Sequence, residues 1–182
     1  MNRQQLEHII RAACNIADDD EVVILGSQAV LGQFPDAPEE LLASMEADLF
    51  PKHHPERAEL IESSIGELSM FHETFGYYAA GVSEETATLP AGWQQRLVPI
   101  RGPGTAGNTG WALEVHDLVL SKYVAGREKD RRYNRAALRL RVVSADQLRE
   151  RLTELSVDSA TRTRIARQID ADASGDGAPR SR

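Results

Sequence analysis

Apolar residues recur at helical spacing near the start of the chain. Leu6, Ile9, Ile10, Ala13 and Ile16 predict an amphipathic helix over 4–17. The acidic turn "ADDDE" follows, and then Val22–Leu25, four apolar residues without alternation. Such a run predicts a short strand covered on both faces. Ser27–Phe34 reads as a short helix, which "PDAP" breaks; Pro38 heads "EELLAS", one helical turn. Strands are predicted over Met45–Phe50, Tyr77–Val82, Arg96–Ile100 and Trp111–Val115, with a helix over Pro55–Leu68. The glycine-rich stretch "RGPGTAGNTG", Arg101–Gly110, joins the last two strands.

Beyond that point the pattern is helical only. Asp117 is placed to cap "LVLSKYVAG", and Gly126 to end it. A second helix is predicted over Lys129–Leu140. Ser144 with Gln147 makes a capping-box pattern before "LRERLTEL", and Ser159 is placed to cap "ATRTRIARQIDA". The tail "SGDGAPRSR" is expected to be disordered. The plan is an α+β protein: a mixed-sheet core over 1–115, a helical C-terminal part over 116–173, and a tail over 174–182.

Two short motifs carry chemistry. The first strand ends in Gly26-Ser27 and leads into a helix. A helix start presents unpaired N–H groups and partial positive charge, so it suits a phosphate. Gly26 would let the ligand reach the backbone, and Ser27 would donate to a phosphate oxygen. The alternative is a Gly-Ser turn chosen for conformation alone. It is not a P-loop, because the spacing fails and no lysine follows.

The second motif is Glu46-x-Asp48 on the second predicted strand. Residues i and i+2 of a strand share a face. Two carboxylates there repel each other and resist desolvation, and a divalent ion removes both costs. Mg²⁺ takes one or two carboxylates and completes its shell with phosphate and water. The alternative is that both acids face water.

Charge changes the picture further along. The net charge of −7 is unevenly spread. Residues 1–121 hold 6 Lys+Arg against 19 Asp+Glu, and residues 122–182 hold 15 against 9. A basic segment therefore follows an acidic body, which suits nucleic acid or an acidic partner, or a solvated helix face. Arg127, Glu128, Lys129, Asp130, Arg131 and Arg132 read either as an ion-pair ladder or as a phosphate-binding block. A triphosphate needs cations beyond its metal, and Gly126 could bend the chain to turn Arg127 and Lys129 inward. Lys122 and Asp130, eight apart, would lie on nearby sides of a continuous helix.

Other signals exclude more than they assign. No apolar run approaches the ~20 residues of a membrane span. The first residues lack the pattern of a secretory signal, and the single Cys14 allows no internal disulfide, so a cytoplasmic protein is expected. Cys14 reads as a small buried hydrophobe. His53 and His54 are adjacent, so on an extended chain they point opposite ways and do not share a metal. They could touch substrate. His72, His116, Trp93 and Trp111 read as packing residues, the tryptophans with base stacking as the other option.

"LGSQAVLG", "SMEADLFP", "FGYYAAGV", "ETATLPAGWQQRLV" and "HDLVLSKYVAGREKDRRY" together resemble the DUF6036 group of nucleotidyltransferases. That group belongs to the polymerase-β-like superfamily and is similar to the AbiEii- and MenT-like toxins of toxin–antitoxin systems. The resemblance spans roughly Val22–Leu140 and implies the polymerase-β-like nucleotidyltransferase fold. It implies that Gly26 and Ser27 hold the triphosphate, and that Glu46 and Asp48 hold Mg²⁺ and serve catalysis. Glu46 departs from the usual Asp-x-Asp pattern. Glu114, before Asp117, is a third metal candidate, since the superfamily often has an acid on a later strand.

Lys122 matches a phosphate-contacting lysine, with Arg127 and Lys129 as further nucleotide contacts. Asp130 matches an acid that is either a base for the acceptor hydroxyl or a structural partner. In AbiEii-like toxins that lysine and acid lie further apart. The implied activity is transfer of a nucleoside monophosphate from an NTP, with Mg²⁺, to an acceptor hydroxyl. The tRNA 3′ end is the implied acceptor, a cognate antitoxin an implied partner. A small molecule or protein acceptor, or a non-catalytic binding module, is the alternative.

Overall fold

In the computed structural model residues 1–175 are described, so residues 176–182 of the expected disordered tail lie outside the described residues. The chain forms two compact units. One comprises Met1–Thr86 and Gln94–Glu114; the other comprises Ala87–Trp93 and the chain from Val115 onward.

The first unit is built on a five-stranded mixed sheet. Its strands are β1 (Glu21–Ile24), β2 (Glu46–Pro51), β3 (Tyr78–Gly81), β4 (Val98–Ile100) and β5 (Thr109–Ala112). Their order is β3-β2-β1-β5-β4. The central β1 is antiparallel to β2, with Ile24 opposite Leu49, and parallel to β5, with Ile24 opposite Ala112. β2 and β3 are parallel, with Glu46 opposite Tyr78 and Asp48 opposite Ala80; β4 and β5 are antiparallel. Val22, Val23, Ile24 and Leu25 are all buried, as an unbroken apolar run requires of a doubly covered strand.

Helix α1 (Arg3–Ala17) lays Leu6, Ile9, Ile10, Ala13 and Ala17 into the core. Its start is a full capping box: the Asn2 side chain accepts from Gln5 N–H, and the Gln5 side chain accepts from Asn2 N–H. Cys14 is buried, as expected. After β1, Ser27–Ala29 form a 3₁₀ turn that runs into α2 (Val30–Gln33). The predicted helix over 55–68 is shorter: α3 spans Ala58–Ile65 and stops at Gly66. A further helix, α4 (Met70–Phe75), follows, capped by Ser69, whose side chain accepts from His72 N–H. It was not foreseen, because none of its residues is buried and so no apolar period marks it. Its rings Phe71 and Phe75 pack on His8 and Tyr77 instead.

The second unit holds α5 (Val115–Ala125), α6 (Glu128–Arg139), α7 (Ala145–Leu152) and α8 (Ser159–Ala173). Asp117 is not a cap: it lies in the first turn of α5, fully buried, with Arg151 Nη1 donating to it at 2.7 Å. Ser159 is not a cap either; Asp158 precedes it and accepts from Thr161 N–H at 2.7 Å. Ser144 caps α7 by accepting from Gln147 N–H. Arg162 ties the α7–α8 connection by donating to the carbonyls of Leu152, Thr153, Leu155 and Val157. Leu152 and Thr153 close α7, and Leu155 and Val157 follow in the loop, so one guanidinium binds the helix end to the connection. Tyr123, buried in α5, donates to Asp172 of α8 at 2.9 Å. Among the described residues, no helix is long and apolar enough to cross a membrane.

Candidate functional site

Strand directions bring the two sequence motifs to one end of the sheet. Gly26-Ser27 leaves the carboxyl end of β1, and Leu25 N–H donates to Asp48 O at 2.9 Å, beside the first residues of β2. The contact between the motifs is direct. A Cβ built on Gly26 would lie 2.7 Å from Asp48 Cγ and closer still to Oδ2. The Asp48 carboxylate therefore occupies the space that any side chain at residue 26 would need. Gly26 has φ −79°, a value open to all residues, so the glycine answers a need for space rather than for conformation.

Glu46 and Asp48 are both half-buried and share a face, while Ala47 and Leu49 between and beyond them are buried. Ser44 fixes the entry to this strand by accepting from Glu46 N–H at 3.1 Å. Gln28, fully buried one residue after Ser27, donates to Ser44 O at 2.8 Å and so ties the turn to the same strand. Glu114 follows β5 by two residues, and β5 is parallel to β1 in register, so it stands at this same end. Glu46, Asp48 and Glu114 do not bring three ligand atoms within 4.8 Å of one another. A pair suffices for Mg²⁺, which draws its other ligands from phosphate and water. Two carboxylates on one face beside a bare Cα fit such an ion.

Tyr78 was not singled out from sequence. It stands opposite Glu46 in the β2–β3 register and packs on the His72 ring at 4.5 Å. Burial, and then the Glu46, Glu67, Asp48 and Glu62 carboxylates, push its phenol above the usual value. Only the register, which pairs residues more than thirty positions apart, reveals it.

The basic block lies in the helical unit and differs from the expected continuous helix. Gly126, at φ +65°, ends α5, and Arg127 starts α6. That left-handed residue suits glycine and reverses the chain. Lys122 and Asp130 consequently meet across a turn, at 3.3 Å, and not along one helix. Arg127 Nε donates to the other Asp130 oxygen at 2.8 Å, and Lys122 Nζ sits 4.7 Å from the Tyr133 ring centre. Asp130 is fully buried. Burial alone would raise its pKa, but the Arg127 hydrogen bond and the Lys122 and Arg127 charges hold it below the ordinary carboxylate value. Lys129 stays exposed and does not turn inward, since the next position on a helix faces about 100° away from Asp130.

The remaining candidates have structural roles. His72 Nδ1 accepts from Leu68 N–H, and His116 Nε2 accepts from Ser144 N–H. Trp93 is buried. Trp111 is half-buried on β5, with Lys52 Nζ 4.5 Å above its ring.

The opposite end of the sheet holds a second polar group. Asp19 and Asp20 precede β1, and His53 follows β2. Their ligand atoms lie within 4.8 Å of one another, the group of three that does so among the described residues. From sequence, Asp19 and Asp20 read as a turn and His53 and His54 as candidates to touch substrate, but both histidines follow the far end of β2, away from Glu46 and Asp48.

A family model described as "Nucleotidyltransferase of unknown function (DUF6036)" matches residues 4–171. The fold and the motif face thus define a nucleotidyltransferase-like protein of mixed α/β architecture. The chain belongs to the DUF6036 family of nucleotidyltransferases. No curated protein and no solved structure matches it.

Proposed function

We propose that the protein transfers a nucleoside monophosphate from an NTP to an acceptor hydroxyl. The observation that carries this reading is the Asp48 carboxylate seated over the bare Cα of Gly26. There the Gly26-Ser27 turn receives the phosphates, and Glu46 and Asp48, with Glu114 at the same end, hold Mg²⁺. Mg²⁺ supplies charge neutralisation at the phosphates and a more acidic acceptor hydroxyl. The acceptor oxygen forms the new bond to the α-phosphorus, the bond to pyrophosphate breaks, and the hydroxyl proton passes to solvent. Lys122 and Arg127 act as phosphate-binding cations, and Asp130 positions both rather than serving as a base. A carboxylate held below its ordinary pKa is a poor proton acceptor. Lys129 adds charge from the exposed side of α6.

By resemblance to AbiEii- and MenT-like toxins, the acceptor is the 3′ end of tRNA and the protein is the toxin of a toxin–antitoxin pair in the cytoplasm. The excess of 15 Lys+Arg over 9 Asp+Glu from residue 122 onward supports an RNA-backbone contact of salt-sensitive kind.

The test incubates the full chain with each labelled NTP, Mg²⁺ and total tRNA, beside Asp48→Ala. Label entering tRNA only with the wild type is the expected result. Metal-dependent NTP binding without labelled RNA would move the acceptor to a small molecule or protein. Absence of both would leave a non-catalytic module.

A further inference from the structure

The Asp19–Asp20–His53 group has no part in the proposed transfer, because it lies at the other end of β1 and β2 from Gly26 and Asp48. Part of its geometry serves the fold. Asp19 accepts from the N–H groups of Glu21 (3.0 Å), His53 (2.8 Å) and His54 (3.1 Å), and its side chain is 1% exposed. That role needs neither Asp20 nor the His53 ring. Yet His53 Nδ1 lies 2.9 Å from Asp19 Oδ1 and 3.8 Å from Asp20 Oδ1, and Nε2 lies 3.8 Å from Glu21 Oε2. Donors that share one ion at about 2.1 Å stand roughly 3–3.5 Å apart, so the first two spacings bracket that of a common metal shell.

Two further observations point the same way. The group opens on a cavity of about 490 Å³ walled by Cys14, Asn15, Asp18, His54 and Asn108. Nearly every wall residue offers an oxygen, nitrogen or sulfur donor. Among them is the Cys14 thiol, 2% exposed and with no hydrogen bond among the described residues.

We infer that Asp19, Asp20 and His53 form a second metal site, separate from the nucleotidyl-transfer face and selective for a borderline divalent ion of the zinc class. The donor set decides the class. Mg²⁺ prefers an all-oxygen shell, whereas imidazole with carboxylates, beside a thiol, suits Zn²⁺. Binding replaces the Nδ1–H···Oδ1 hydrogen bond by Nδ1 and Oδ1 on one ion, with the neutral ring carrying its N–H on Nε2. The cavity supplies room for water in the remaining positions.

The test uses the full chain stripped by a chelator and titrated with Zn²⁺ by calorimetry in millimolar Mg²⁺. One Zn²⁺ per chain is expected. Asp20→Asn and His53→Gln should each weaken binding at least about tenfold. Both side chains are largely solvent-facing, at 84% and 54% exposure, so neither change threatens folding. Asp48→Asn should bind Zn²⁺ as the wild type does. Co²⁺ in place of zinc should give visible absorption that His53→Gln alters. No binding by the wild type, undiminished binding in both variants, or loss in Asp48→Asn would each overturn the inference. None of these readouts involves NTP, so the transfer reading and the metal site stand or fall separately.

Discussion

The two ends of one sheet treat a carboxylate in opposite ways. At the end that holds Asp19, the chain closes around the acid: three backbone N–H groups and an imidazole converge on its two oxygens. At the end that holds Asp48, a glycine leaves its Cα bare, and the acid's carboxylate fills the space of the missing side chain. A carboxylate met by backbone donors holds a loop in place. A carboxylate set against a bare Cα brings the acid strand and the Gly-Ser turn into direct contact. Acid content alone does not separate the two, since "ADDDE" is richer in acid than "EAD".

The sharpest way to break this contrast is Gly26→Ala. The backbone accepts alanine, but the methyl group collides with the Asp48 side chain, which has to shift. A thermal melt should still show a folded protein. Nucleotide transfer should fall by about 10²-fold or more, since a displacement near 1 Å at a reacting centre costs that much. Equal activity in the variant, measured with labelled NTP, would mean that the Gly26–Asp48 contact is incidental.

Asp19→Ala should show the reverse pattern. It leaves three N–H groups without their acceptor, at a cost of about 2–3 kcal/mol, or roughly 4–12 °C in Tm. Metal-dependent NTP binding at the far end should persist wherever the protein remains folded. A Tm within 1 °C of the wild type in a thermal melt would remove the fold-holding role.

The smallest effect concerns an acid that is equally buried but lies in the helical unit. Asp130 has its folded pKa lowered by Arg127 and Lys122 against the cost of burial. Its contribution is present above the unfolded value of about 3.9 and is lost as pH falls through the lower folded value. Asp130→Asn should flatten the acid limb of a stability–pH profile below about pH 4. An unchanged limb would mean that the ion pairs with Lys122 and Arg127 add nothing to folding.

Local signals were legible and distant pairings were not. The apolar run Val22–Leu25, the acid-x-acid spacing of Glu46 and Asp48, and the Gly126 stop each speak through their own neighbours. The Asp158 cap was missed because Ser159, one residue on, carries an equally plausible hydroxyl. Asp117 looked like a cap because its partner Arg151 lies 34 residues away. The same separation hides the bond between Asp19 and His53. Asp48 was singled out by spacing, but that it faces Gly26 depends on the antiparallel register of β1 and β2, which no short window contains.

The single guanidinium of Arg162 also bears on the order of assembly. Its four carbonyl partners lie only five to ten residues away along the chain. Closing so small a loop is fast, whereas the β1–β5 ladder must join Glu21 to Thr109 across nearly the whole first unit. During folding the α7–α8 hairpin is thus expected to be settled while the central strand still waits for its parallel neighbour.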